Sequence, residues 1–281
     1  MSSPTPSRRA LLTASAWTVP AVVLATSAPA FATSGDAPLR CEDASYFYNW
    51  AGSGWTYQST QAVTAGTGAG VGFGYAGVVN APAPGVSSDP VKVTVANSFS
   101  GSMVGLVNSS GKNMVVPTHH VGGLETRGLE LYQGISTGKA RLVGAERRLD
   151  SQTLKVTFDR PVSNVSFSIT DIDFTVGQYS DRVEIAVPVP YTAVPTSKAT
   201  VLGAGTQSSP WRGAYSGGNV DHVTDSRGNV AVTFNGTVSE FTLRFWNADG
   251  GSQSQALTAK GAQAIFLSNF TFRASTCAPQ G

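Results

Sequence analysis

Cysteine, histidine and charge are all scarce in this chain. Its 281 residues hold two cysteines, three histidines and three methionines, and 13% of residues are charged. Neither cysteine stands in a recognisable nucleophile context, which argues against cysteine catalysis. His119 and His120 are adjacent, so on an extended chain they point to opposite faces and do not chelate one metal together. No H-E-x-x-H occurs, which leaves zinc proteolysis unsupported. No G-x-S-x-G occurs either, so a serine nucleophile elbow is missing. The glycine-rich stretch Gly66–Gly74 is not followed by Lys-Ser/Thr and has no βαβ context. It reads as a glycine-rich loop or edge and not as a phosphate cradle. Long segments of helical period are absent. The only long apolar run, Ala10–Val23, is broken by Pro20 and falls short of the ~20 residues a spanning helix needs. The C-terminal Cys277-Ala278-Pro279-Gln280-Gly281 carries no hydrophobic tail. No membrane span is therefore expected.

What is present begins with the leader. Ser7-Arg8-Arg9-Ala10-Leu11-Leu12 carries paired arginines, the apolar run follows, and Ala30-Phe31-Ala32 supplies a small-x-small cleavage site. This is the order of a charged region, an apolar region and an A-x-A end, so residues 1–32 read as an export signal cleaved near Ala32. The arginine pair favours the twin-arginine route, although Leu11 stands where that motif prefers Phe and Thr13 where it often has Lys. The expected location is extracellular or at the cell surface. Arg8 and Arg9 belong to the leader, which has no acid, so the 19 Lys and Arg fall to 17 against 17 Asp and Glu. A formally neutral mature chain argues against nucleic acid and other polyanions as partners. Outside the cell disulfides persist, and Cys41 is expected to pair with Cys277, 236 positions away. Closing so long a loop is worth about 5 kcal/mol in the chain-entropy picture, an upper figure because strain is ignored.

Short alternating runs fill the rest: Val91–Val95, Leu154–Phe158, Val165–Ile169, Val183–Val187, Val230–Phe234, Phe241–Phe245 and Ala264–Leu267. Gly, Pro, Asn and Asp separate them. Each run presents an apolar face inward and a polar face outward, the pattern of an all-β sandwich or barrel. The expected organisation is a polar leader over 33–40, one sandwich domain over 41–277 with a subdivision near 150 left open, and a tail over 278–281. Val201–Arg227 holds few alternating runs and reads as a long loop, with Ser226-Arg227-Gly228-Asn229 as a turn into the next strand. Leu154–Asp173 also aligns with Val230–Asp249 at a constant offset of 76 without gaps. Identical pairs include Val156/Val232, Phe158/Phe234, Val162/Val238 and Asp173/Asp249. Both copies read as strand, short turn, strand. True duplication and two hairpins that merely need the same alternation stay open as explanations.

The stretch Phe158-Asp159-Arg160-Pro161-Val162 through Ser168-Ile169-Thr170-Asp171-Ile172-Asp173 resembles a pattern of secreted bacterial β-sandwich modules. In these a strand ends in an aromatic, a Pro-Val turn follows and the next strand runs into Asp-Ile-Asp. Ile265–Phe272 resembles their closing strand. The leader is similar to those of uncharacterised actinobacterial exported proteins. The resemblance covers residues 1–32 and roughly 150–275. It implies a jelly-roll-like antiparallel β-sandwich behind a cleavable signal peptide, and no defined activity.

Two sets of residues are candidate sites. Asp171 and Asp173 continue the face of Val165, Phe167 and Ile169 if the strand goes on, and carboxylates on an apolar face must leave the core or meet a cation. With Asp181 they form an expected structural calcium site, since calcium takes oxygen ligands. Ordinary solvated turns are the alternative. Trp211 and Tyr215, beside Pro210, Gly213 and Gly217, are expected as exposed loop aromatics that could stack on sugar rings. Tyr46, Tyr48 and Trp50 alternate and are expected in the core. Glu125 and Glu130 are a conceivable glycosidase pair whose separation the sequence does not give. The function these features point to is a non-enzymatic binding module for carbohydrate or a cell-envelope polymer. A secreted glycan-active hydrolase and a structural, adhesin-like envelope protein are the alternatives.

Overall fold

The computed structural model describes residues 39–60, 68–80, 89–107, 111–136, 148–175, 178–248 and 262–279. The leader over 1–32, the end of the tail and Asp249 of the repeat lie outside them. The strands are β1 (Leu39–Tyr48), β2 (Thr56–Ser59), β3 (Gly70–Val78), β4 (Val91–Ser100), β5 (Met103–Gly105), β6 (Leu129–Ile135), β7 (Ser151–Thr170) and β8 (Phe174–Thr175), followed by β9 (Tyr179–Ala186), β10 (Tyr191–Pro195), β11 (Val201–Leu202), β12 (Trp211–Gly213), β13 (Val230–Phe234), β14 (Thr237–Asn247), β15 (Gln263–Leu267) and β16 (Phe270–Pro279). The protein is an all-β antiparallel sandwich, and every alternating run named above falls in a strand. No described helix is long and apolar enough to cross a membrane.

The twenty-residue β7 is the spine. Its first half, Ser151–Phe158, lies between β14 and β4. Its second half lies between β13 and β16, and β15 meets its last two residues. From β16 the pairing passes to β1, then β3, then β4, and back to β7, so five strands close a hydrogen-bonded circuit. The sheet thus wraps into two facing layers, and β7 passes from one to the other. The bend is legible in its residues. Pro161 offers no N–H to a ladder, and Asn164 has a left-handed backbone at φ 53°. Both neighbours shift register there, β14 between Val238 and Glu240 and β16 between Thr271 and Arg273. Such irregularities are how a strand turns the corner of a sandwich.

Residues 37–281 hold together as one unit. Position 150 opens β7, whose partners come from both sides of that point: β4 before it and β13 to β16 after. Within this circuit β1 and β16 pair over ten positions, with Cys41 directly opposite Cys277. No described cysteine is free.

The two repeat copies lie side by side. The first is β7 itself. The second is β13, the Asn235-Gly236 turn and β14. They pair antiparallel, with Val230 opposite Ile169, Val238 opposite Val162 and Trp246 opposite Ser151. Val162 and Val238 are equivalent by the offset of 76 and are also cross-strand partners. Two independent hairpins do not describe this arrangement. The expected turn interrupts the second copy only; the first copy bends and continues as one strand.

Two loop expectations are corrected. Val201–Arg227 contains β11 and β12, which pair with each other and extend the sheet beyond β9. The glycine-rich stretch becomes the strand β3 from Gly70 onward. Its inward positions are Gly70, Gly72 and Gly74, and a Cβ on these would run into Tyr57, Trp55 and Tyr48 respectively. The glycines are spaced two apart because three aromatic rings need the room on one face.

Candidate functional site

The end of β14 and the segment after β7 meet at β9, where Asn247 stands opposite Asp181 and Asp173 is hydrogen-bonded to Asp181. The strand β7 itself stops at Thr170. Asp171 takes a left-handed backbone at φ 69°, a conformation that Asp tolerates better than most residues. The alternation breaks, so Asp171 and Asp173 do not extend the Val165-Phe167-Ile169 face. Ile172 N–H instead donates to Gly228 O at 3.0 Å.

Asp173 and Asp181 are both buried and face each other across two bonds. Asp173 N–H donates to Asp181 Oδ2 at 3.0 Å, and Asp181 N–H donates to Asp173 O at 3.1 Å. Asp173 Oδ2 also accepts from Val220 N–H at 2.6 Å and from the Tyr179 hydroxyl at 3.5 Å. The Gln263 amide, oriented to satisfy its neighbours, donates to Asp181 Oδ1 at 3.0 Å. Asn247, the repeat equivalent of Asp171, stands opposite Asp181 and accepts from Ser180 N–H. Burial pushes Asp173 up to about 6, against the pull of Val220 N–H and the Tyr179 hydroxyl. Burial and then the Asp173 charge hold Asp181 well above the usual carboxylate range.

These contacts bring Asp173 and Asp181 together, while Asp171 stands apart at the end of β7. Among the described residues no group of three or more His, Cys, Asp or Glu is placed to hold a metal ion. Asp173 Oδ2 and both carboxylate oxygens of Asp181 already accept from N–H or O–H donors. Solvated turns do not describe this pair either, because both side chains are inside.

Next to this pair, two loops cap the outer face of β15. Phe266 stands opposite Thr170 on one side and Glu130 on the other. Over it lie His119 and His222, whose ring centroids are 5.1 Å apart; His222 stacks on Phe266 at 5.7 Å. His119 therefore meets His222 and not His120, a pairing that 100 residues of intervening chain hide from sequence. Burial and the neighbouring His222 lower the His119 pKa, with Asp221 opposing. Gly122 and Gly123 have φ of 58° and 63°, and their N–H groups donate to His222 O and Val223 O. That double left-handed turn straps one loop to the other. Glu130 is buried, accepts from Lys112 N–H at 3.1 Å, and is pushed by burial up to about 7. Glu125 is exposed on the preceding loop.

The aromatics sort differently from expectation. Tyr46, Tyr48 and Trp50 are core, as their alternation predicts. Trp211 is corrected: it is 1% exposed, sits in β12, and covers Gly205, where a Cβ would collide with its ring. Pairing of β12 with β9 turns most of that side chain inward, and Trp211 borders a cavity of about 480 Å³ together with Tyr191, Lys198 and Leu202. Tyr215 is 76% exposed and leans on Phe174, centroids 5.2 Å apart, away from Trp211.

An aromatic groove exists elsewhere. A cavity of about 480 Å³ is lined by Trp50, Trp55, Tyr57, Asn113, Met114 and Arg127, among others. Trp50 N–H donates from its ring to Ser268 O at 2.8 Å. Trp55 is held by its ring N–H to Met114 O at 3.2 Å and crosses Trp50 edge-on at 5.1 Å. The Tyr57 hydroxyl donates to Gly68 O and accepts from Asn97 Nδ2. The walls are thus fixed by their polar ends and leave their apolar faces to the groove. The sequence signal was available in Trp55 and Tyr57 beside the alternating glycines of β3. Neither Glu125 nor Glu130 lines this groove. No protein family matches this chain, and no curated protein is detectably similar to it in sequence.

Proposed function

We propose that this protein is an exported, non-enzymatic binding module that takes a carbohydrate unit of a cell-envelope polymer into the groove walled by Trp55 and Tyr57. The observation that carries this reading is the pre-positioned aromatic pair with Arg127 and Asn113 beside it. Sugar rings present an apolar C–H face to aromatic walls and hydroxyls to polar groups at the rim. Walls already locked by hydrogen bonds lose little freedom when a ligand arrives. Export follows from the leader, and a Cys41–Cys277 bond follows from that compartment and from the strand register. Directly opposed residues of an antiparallel pair lie within disulfide reach. The exported protein is expected to react with a thiol reagent only after reduction.

A glycan array and a purified cell-wall pull-down test the reading. Binding is expected, and Trp55→Ala should weaken it by about 10-fold or more, as loss of a central aromatic anchor does. The unfolding midpoint of the variant controls for damage to the fold. Tyr215→Ala, remote from the groove, should leave binding unchanged. Absence of binding to any glycan or wall preparation would abandon this reading in favour of a structural envelope protein.

A further inference from the structure

Four buried polar atoms have no hydrogen-bond partner within one small region: His119 Nε2, Thr170 Oγ1, Asp171 Oδ1 and Asn229 Oδ1. Orphans of this kind are rare in folded proteins, and each calls for a ligand, a water or an ion. We propose that Thr170, Asp171 and Asn229 hold a divalent cation of the calcium class at the end of β7, under the Gly122–Gly123 turn.

The placement follows from the strands. Val230 stands opposite Ile169, so Asn229 and Thr170 are neighbours where the ladder ends. Asn229 Oδ1 and the Thr170 side chain both lie against Gly122, Thr170 by its Cβ and methyl: a Cβ on Gly122 would lie 2.6 Å from Asn229 Oδ1, 2.6 Å from Thr170 Cβ and 2.7 Å from Thr170 Cγ2. The Asn229 Nδ2 donates to Gly122 O at 2.7 Å, which leaves its oxygen as the free end of the amide. Thr170 is 0% exposed and Asn229 3%, so bulk water satisfies neither. Asp171 follows directly, turned by its left-handed backbone, and Gly228, which precedes Asn229, packs against its Cα.

The chemistry of the set is one carboxylate, one amide oxygen and one hydroxyl. Carboxylate and amide oxygens accept only, and no donor faces them. Hard oxygen ligands of mixed type, completed by water, are what calcium takes. The charge environment agrees. Burial first, and then the negative charges of Asp173, Asp221, Glu130 and Asp225, disfavour the Asp171 carboxylate in the absence of a cation. The nearby Arg227 is already engaged by Asp225. A transition metal fits less well, because no trio of His, Cys, Asp or Glu is formed among the described residues. With a single carboxylate the affinity belongs to the extracellular range, about 10⁻⁴–10⁻³ M. This site is separate from the aromatic groove and stands whether or not a glycan binds there.

Thermal unfolding and titration calorimetry of the exported protein test it, with calcium chloride against a chelator. At about 10 mM calcium the midpoint should rise by about 3–8 °C, with a saturable heat of binding. Asp171→Asn removes the charge and Thr170→Val the hydroxyl, each with little change of shape. Both should lose most of the calcium-dependent rise while still unfolding cooperatively in chelator. No rise and no heat in the native protein would overturn the site and assign the orphaned atoms to buried water. An undiminished rise in Asp171→Asn would overturn it as well, by placing calcium elsewhere.

Discussion

Phe241→Ala should destabilise the protein by about 3–5 kcal/mol, the range for deleting a buried aromatic ring. Phe241 stacks on Phe167 at 5.4 Å, meets Phe234 edge-on at 5.0 Å, and reaches Phe270 at 6.2 Å. Those rings come from β7, β13 and β16, so one side chain on β14 joins both layers and both repeat copies. Neighbours of this kind are held by three separate strands and cannot all collapse into the space left behind. A domain of ordinary stability has only about 5–15 kcal/mol to lose. Denaturant unfolding measures the effect through the midpoint at constant slope. A loss below about 1 kcal/mol would show that the rings do not form the joint between the layers.

Stability in the presence of a chelator should fall as pH rises from 4 to 8, by an amount on the order of 3 kcal/mol. Asp173 is raised to about 6 and Glu130 to about 7, above the values of the unfolded chain. The folded state therefore binds these protons more tightly than the unfolded state does. Their contribution is complete below about pH 4 and is lost as pH passes through 6 to 7. Asp171 and Asp181 are shifted in the same direction by burial and by neighbouring carboxylates. Asp221 and Asp225 oppose the trend only in stronger acid, because Thr224 N–H and Arg227 hold them below the usual range. Urea midpoints at pH 4.5 and 7.5 check this directly. Asp173→Asn, which still offers an oxygen to Val220 N–H, should flatten the profile. Stability that is level or rising over that interval would contradict the buried carboxylate pair.

Much of the fold could be read from alternation. Leu154, Val156 and Phe158 point inward, as do Val165, Phe167 and Ile169, because a half-buried strand has a period of two. The bend between those runs was visible only as Pro161, and it was read as a turn between two strands. What makes it a continuous corner is pairing on both flanks, with matched register shifts in β14 and β16. The site was less legible. Asp171 and Asp173 were identified, but the face they occupy depends on one left-handed residue. Of the partners of Asp173, Asp181 comes from β9 and Val220 from a loop 47 positions away. Trp211 looked like a loop residue because β12 is three residues long and takes its direction from β9.

The sequence by itself determined the all-β class, the alternating runs of β4, β7, β9, β13, β14 and β15 and the core identity of Tyr46, Tyr48 and Trp50, since these rest on local periodicity and residue type. It also held the 76-residue repeat. Only the tertiary structure decided that the two copies pair with each other, with Val162 opposite Val238. It also decided that Gly70, Gly72 and Gly74 make room for aromatic rings, and that Trp211 is buried while Trp55 walls a groove. The physical reason is common to all three. Which strand becomes a neighbour depends on how a twisted sheet closes on itself, and that closure is a property of the whole chain.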